Sequence, residues 1–413
     1  YNSRRSVPMG DGGGRVFGGD RDKTLSARRI LASRFRNDPA HRAVHTFNET
    51  TPRSSVGNYA YKDLLWHETT IPRANLADFK LSHISAGPGY VYARSSWDED
   101  ATYFFFKCGD RFTAHQHLDI GHFVIYKHAE LAGDGGHYDS FGSSHDVNYH
   151  LRTIAHSTIL VHDPAETWRP DIRAGKVTSN DGGQSHAWPH HNGAVVDMTA
   201  WREKEEIYDI ADILAFEDRG TYMYIAADCT GAYSKDKLSC FTRQIVFIRP
   251  DTFIIFDRVT SKNPAFKKTW LLQAMEIPTR TDSHLVITNG KGRLFLQPLL
   301  PVNPEIALVS GDDLYHHASR NYPPSRNTGP APKCRIEISP PQPAATDYFL
   351  HVLTAADANV SAAPLASTHD TPDQVVVSAA ERTIIFTKDK VGGSITATRG
   401  SHTFANTITA NSQ

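Results

Sequence analysis

The chain has 413 residues, enough for two or three domains and an ample core, with 39% hydrophobic and 22% charged residues and a formal net charge of −1. A neutral balance argues against a polyanion-coated basic surface, so nucleic acid is excluded as the expected partner, although a local cleft can still be basic. No run approaches the roughly 20 apolar residues that cross a bilayer. The four cysteines, Cys108, Cys229, Cys240 and Cys334, lack any CxxC spacing, which argues against a zinc-thiolate site and leaves two disulfides or four thiols open.

The chain opens Tyr-Asn-Ser-Arg-Arg, with neither an initiator Met nor a signal peptide, and reads as a fragment or processed product. Met9 to Gly14 is glycine-rich, without the Lys-Ser/Thr of a P-loop, and reads as a loop. From Lys23 to Arg36, Ala27, Ile30, Leu31 and Phe35 fall on one helical face, and Pro39 closes that helix. A second, weaker helix covers Tyr59 to Trp66.

After Leu76 the periodicity changes to two. Strands are expected at Tyr90–Arg94, Ala101–Lys107, His122–Tyr126, Ser157–Val161, Ile207–Ala211, Thr221–Ala227, Gln244–Ile248, Thr252–Phe256 and Thr269–Gln273. Polar breaks such as Arg249-Pro250-Asp251 join neighbours at hairpin length. Many strands, few helices and short turns imply a mainly β protein, a large antiparallel β-sandwich. Ser310 to Pro343, rich in Pro, Ser, Asn and Gly, reads as a linker or long surface loop. Short strands at Tyr348–Leu353, Val375–Val377 and Thr383–Thr387 then suggest a small C-terminal β-domain.

Chemistry concentrates between Cys108 and Pro164. Of 22 histidines, nine fall from His115 to His162. On an extended strand His115, His117 and Asp119 share one side, offering nitrogen and oxygen ligands to a divalent metal and a group that titrates near neutral pH. Asp119 is read as a partner for an imidazole, and His122, His128, His145, His150 and His162 as surface residues. Trp168 to Arg173 could stack a sugar ring and grip an acid group, and His186, His190 and His191 read as a solvated loop, with the lining of a sugar cleft as the alternative. The aromatic cluster Tyr103–Phe106 reads as core.

The succession His115-x-His117-x-Asp119, Asp134-Gly-Gly-x-Tyr138 and Tyr149-x-x-Arg-Thr-Ile-Ala-His156-Ser resembles the heparinase II/III group of polysaccharide lyases. Asn180-Asp-Gly-Gly-Gln184, the segment Asp228 to Ser234, and Phe256-Asp-Arg-Val259 followed by Asn263 to Leu272 place it nearest heparinase II, over roughly residues 85 to 280. The resemblance implies an N-terminal α/α toroid, a central antiparallel β-sandwich and a C-terminal β-domain. Residues 1–75 then correspond to the helical last part of such a toroid, 76–310 to the sandwich, and 311–413 to the linker and C-terminal domain.

By position, the resemblance makes His117, Asp134 and His156 ligands of a Zn2+ that orders the loop 134–156, and puts His115 in the reaction centre. Tyr149 is the first tyrosine candidate for acid or base work and Tyr138 the second. Phe141 stands nearest to where heparinase II carries another tyrosine. The implied reaction is β-elimination on a uronic-acid-containing polysaccharide, with heparin or heparan sulfate first among glycosaminoglycans and alginate also in the wider group. An acidic polysaccharide substrate, a periplasmic or secreted location and an allowance for a homodimer follow from the same resemblance. Three rivals stand beside it. A metallo-β-lactamase-type hydrolase wants a histidine where Ile120 stands. A cupin wants a ligand Glu where Gly121 and His122 stand. A non-catalytic metal- and carbohydrate-binding β-sandwich protein needs only the fold.

Overall fold

The computed structural model describes residues 20–49, 61, 65–112, 115–167, 170–171, 176–177, 179–185, 195–397 and 400–403. The glycine-rich start, most of the expected helix Tyr59–Trp66, most of the segment Trp168 to Arg173, and His186, His190 and His191 lie outside the described residues.

Two helices lead into the β-structure, α1 (Asp20–Arg34) and α2 (Pro39–Glu49). Pro39 does not end a helix but opens the second one. The Asp38 carboxylate accepts from the amides of Ala40 and His41 at 2.7 and 3.2 Å, which caps the new helix and leaves proline in the first turn, where its missing N–H costs nothing.

The body is two large antiparallel sheets, and the protein is mainly β, with 15% helix and 40% strand. The first sheet runs Ser82–Ser85, Tyr90–Arg94, Tyr103–Lys107, Phe123–Lys127, Ala129–Ala132, Lys267–Ala274, Cys334–Ser339 and Glu305–Ser310, with Ile159–His162 also pairing with Lys267–Ala274. The second runs Thr279–Arg280, Leu285–Asn289, Gly292–Leu300, Thr346–Asp357, Thr252–Ser261, Leu238–Ile248, Tyr222–Asp228 and Asp212–Asp218. Between them lies the main core, with Phe104, Phe123, Trp270 and Ile336 from one sheet meeting Phe247, Phe253, Ile255 and Leu353 from the other. Alternate residues of the second sheet, among them Tyr224, Val246, Ile254, Phe256 and Leu350, form another core on its outer face against a five-stranded sheet over residues 367–403. Strands apolar on both sides, such as Phe253-Ile-Ile-Phe256, are buried on both sides.

Three expectations change. Residues 311–413 do not form a linker and one small domain. Cys334–Ser339 is an interior strand of the first sheet and Thr346–Asp357 an interior strand of the second, so the sandwich continues to Asp357. The flanking prolines hid an alternation in which Ile336 and Ile338 face the core. The expected strand at Ile207–Ala211 overlaps instead the end of a helical turn, Glu205–Tyr208, and the strand begins at Asp212. The segment His115 to Asp119 is irregular backbone rather than a strand, and His115 has φ +64°. All four cysteines are thiols, with Cys108 and Cys229 buried at an Sγ–Sγ distance of 3.7 Å.

Candidate metal centre behind an exposed histidine

Four loops meet where the first sheet frays. Asp134 follows strand Ala129–Ala132, and His156 ends a turn of 3-10 helix, Thr153–Ala155. The Gly135 amide donates to the Ala155 carbonyl at 2.9 Å, which sets those two side chains next to each other. Only glycine allows that approach, since a Cβ at residue 135 would stand 2.4 Å from the same carbonyl oxygen. Leu118 N donates to Leu151 O at 2.9 Å, bringing His117 in from the third loop.

The fourth is the sequence landmark Asn180 to Gln184, which acts as a clamp. Gln184 accepts from Ile120 N and donates to Ile120 O, at 3.0 and 2.8 Å. The Asp181 carboxylate pairs with buried Arg152 and accepts from Ile154 N at 3.2 Å. Both bonds hold the turn just before His156.

One ligand atom from each of His117, Asp134 and His156 lies within 4.8 Å of the others, and all three residues are buried. His156 Nδ1 is 2.5 Å from Asp134 Oδ1, and His122 Nε2 is 3.8 Å from the same oxygen. Burial alone would raise the Asp134 carboxyl, but the facing His156 imidazole outweighs it and holds the group below the ordinary range. Burial, reinforced by His150 and His156, drives the His117 pKa well down, and burial takes His122 to about 4. The His117 imidazole is therefore neutral, with a lone pair to give. Among the described residues no Lys or Arg pairs with Asp134, while Asp134 Oδ2 and His156 Nε2 are buried without hydrogen-bond partners. A buried carboxylate with no lysine or arginine beside it, set between two imidazoles, is a donor set that a divalent cation satisfies. The residues fit zinc.

Asp119 is also fully buried, but its partner is Lys107 rather than an imidazole. Lys107 outweighs burial and lowers the Asp119 pKa, so that charge is already balanced.

His115 stands apart from the triad. It is exposed, and its ring centre lies 5.8 Å from that of Phe141. The shared strand face expected for His115, His117 and Asp119 does not exist, because the left-handed turn at His115 sends it outward while His117 and Asp119 go inward. Tyr149 is not brought to His115. It is 1% exposed in a cluster with Ile154, Leu160, Leu271 and Tyr322, and its hydroxyl accepts from Arg335 Nη1 at 3.4 Å. Burial raises its pKa, so this tyrosine packs rather than meeting a polymer. Tyr138 is half-buried, with its ring 5.9 Å from His150.

Sequence reasoning missed three inward histidines. His122, His145 and His150 are 0–1% exposed, not surface residues. The only local hint was their density around the triad.

A family description, "Heparinase II/III-like, C-terminal", matches residues 84–297, half of the chain, including His115, His117, Asp134 and His156. The chain belongs to the heparinase II/III-like C-terminal family. Solved structures with this fold include heparan sulfate lyase HepC from Pedobacter heparinus, at 14% identity and TM-score 0.60 over 97% of this chain and 51% of that one. A mutant of the same lyase matches at 15% identity and TM-score 0.60, over 98% and 50%. A heparinase III gene product matches at 12% identity and TM-score 0.61, again over 98% and 50%. The heparinase-like chain thus spans about half the length of these structures. No curated protein matches it. The β-sandwich of the heparinase family is therefore the fold, and the rival hydrolase and cupin architectures are set aside.

Proposed function

We propose that this heparinase II/III-like chain belongs to a polysaccharide lyase that cleaves uronic-acid-containing polysaccharides by β-elimination, with heparin and heparan sulfate the first substrates to try. A uronate carries a weakly acidic C5 proton beside its carboxylate. Elimination removes that proton, forms the C4–C5 double bond and expels the 4-linked oxygen, which must be protonated. The enzyme also has to neutralise the carboxylate as charge builds on it. The observation that carries the reading is the pairing of an exposed imidazole, His115, with a buried His/Asp/His set whose first member, His117, comes two residues later.

In this reading His115 meets the uronate, taking the C5 proton or holding the carboxylate. His117, Asp134 and His156 hold a Zn2+, which supplies a fixed crosslink between three loops and no redox chemistry. That crosslink makes the geometry under His115 rigid. With Tyr149 packed away, Tyr138 becomes the tyrosine candidate on this chain. An acidic polysaccharide is met in the periplasm or outside the cell, and we place the protein there.

A second reading, a non-catalytic metal- and carbohydrate-binding sandwich, is favoured by Phe141, which puts a ring with no ionisable group beside His115. One experiment separates the two. The protein is incubated with heparin, heparan sulfate, chondroitin, hyaluronan and alginate, and the ultraviolet absorbance of unsaturated uronate ends is followed. Rising absorbance with one polymer supports the lyase. Binding without any rise supports the second reading.

A further inference from the structure

Beside His115 the chain Asp139-Ser-Phe-Gly-Ser-Ser144 turns back on itself. Ser143 N donates to Ser140 O at 3.1 Å, and Gly142, with φ +66°, takes the left-handed third place of that turn. Phe141 stands at the second place, where proline or a polar residue is the ordinary choice. Its side chain is 44% exposed.

The turn is braced on both flanks. The Asp139 carboxylate accepts from Ser140 N at 2.7 Å and from Ser143 Oγ at 2.5 Å. It also accepts from the amide and the hydroxyl of Ser325, each at 2.8 Å, from 186 residues further along the chain. The Asp146 carboxylate takes Gly142 N at 2.8 Å, and the Asp146 amide donates to Ser143 Oγ at 2.9 Å. Both aspartates are buried, which strengthens these bonds. Single exposed apolar residues are common on any surface. A buried polar brace that holds one out beside a site histidine is not.

Phe141 and His115 form a corner. Their ring centres are 5.8 Å apart and the planes are tilted by 55°. A pyranose carries its hydroxyls and acid groups around its rim and C–H groups on its faces. One such face packs on a phenyl ring by dispersion and by removing apolar surface from water, and the rim stays open to polar partners. A sugar lying on Phe141 then turns its rim to His115. Because the brace fixes the phenyl ring beforehand, little order is lost on docking.

We propose that Phe141 is the stacking platform for the sugar ring that His115 meets. The inference rests on the reading of His115 as the residue that faces a uronic-acid polysaccharide. It gives the turn a binding role without proton transfer, since a phenyl ring has nothing to titrate.

The test is calorimetry on the whole chain, with octasaccharides from heparin, heparan sulfate, chondroitin and alginate. At least one should bind, and Phe141→Ala should weaken that binding about tenfold or more, as loss of an apolar contact face implies. The difference should persist at high salt, where contacts made by charge alone fade. Phe141→Trp should bind at least as well as the unaltered protein. Phe141→Leu, apolar but without a flat face, should bind nearly as weakly as the alanine variant. Melting temperatures of all three should match the unaltered protein, because the ring is exposed. Equal affinity in Phe141→Ala would overturn the platform and leave the polysaccharide reading standing. Melting temperatures that fall together with affinity would make the ring structural and overturn it as well. An unaltered protein that binds none of the four would overturn the polysaccharide reading and the platform together.

Discussion

Arg243 Nη1 donates to the Ser157 carbonyl at 3.0 Å, one residue beyond His156. The arginine belongs to strand Leu238–Ile248 of the second sheet, so it reaches through the sandwich to the loop that carries the candidate ligand. It donates to the Gly121 carbonyl as well, beside His122. Asp257 holds it by a double contact, at 2.8 and 2.7 Å, and both residues are fully buried. Burial by itself would lower the arginine pKa, but Asp257 more than offsets it and the group stays charged.

That pair predicts two separable effects. Asp257→Ala leaves a buried guanidinium uncompensated and should cost about 3–5 kcal/mol in denaturant unfolding. Replacing both residues, Arg243→Met with Asp257→Leu, should recover most of that stability, because a buried ion pair and an apolar pair of similar volume are nearly equivalent. Metal affinity should not recover, since Gly121 and Ser157 have lost their anchor. Full recovery of both properties would contradict the anchoring role.

Gly136→Ala should destabilise the protein by about 2 kcal/mol, from a left-handed backbone and the forced shift of His150. Thermal unfolding measures it. Metal affinity should fall with stability, and a melting temperature within about 1 °C of the unaltered protein would contradict the account.

Acid should weaken the fold below neutrality through buried neutral histidines. Burial holds His145 at about 4 and His351 at about 3, against an ordinary value of 6.5. Above pH 6.5 both rings are neutral in both states, and their contribution is fully present. As pH falls below 6.5 the unfolded chain takes up protons first, and stability is lost progressively towards pH 4. His145 alone should account for a loss on the order of 3 kcal/mol. Urea midpoints at pH 7.5, 6 and 5 should decline, and His351→Phe, which removes one of the titrating groups, should flatten the decline. A midpoint that rises on acidification would contradict this.

The sandwich was legible because its strands carry period-two or doubly apolar patterns, and Phe253-Ile-Ile-Phe256 could hardly be anything else. The triad was legible through motif order, since His117, Asp134 and His156 come from three loops that no local period connects. What sequence concealed is non-local. Ile120, just past the inward-turned His117 and Asp119, is gripped by Gln184 from 64 residues away. His145 reads as polar surface until the Tyr322 carbonyl is found 2.6 Å from its Nδ1, 177 residues along. Strand Cys334–Ser339 was masked by flanking prolines, and its place is fixed by pairing with Lys267–Ala274 on one side and Glu305–Ser310 on the other. Tyr149 had the right chemistry for a catalyst and the wrong burial, and burial is what a single sequence conveys least.

The central claim is that His117 anchors a metal while His115, two residues earlier, faces the substrate. Metal per chain, by elemental analysis after dialysis, tests it most directly on the unaltered protein, His115→Ala and His117→Ala. The account predicts about one zinc-class ion per chain in the first two, given a centre of this donor set. It predicts little or none in His117→Ala, with a lower melting temperature, and no elimination activity in either variant. A His117→Ala protein that keeps its ion while His115→Ala loses it would reverse the two roles and contradict the account.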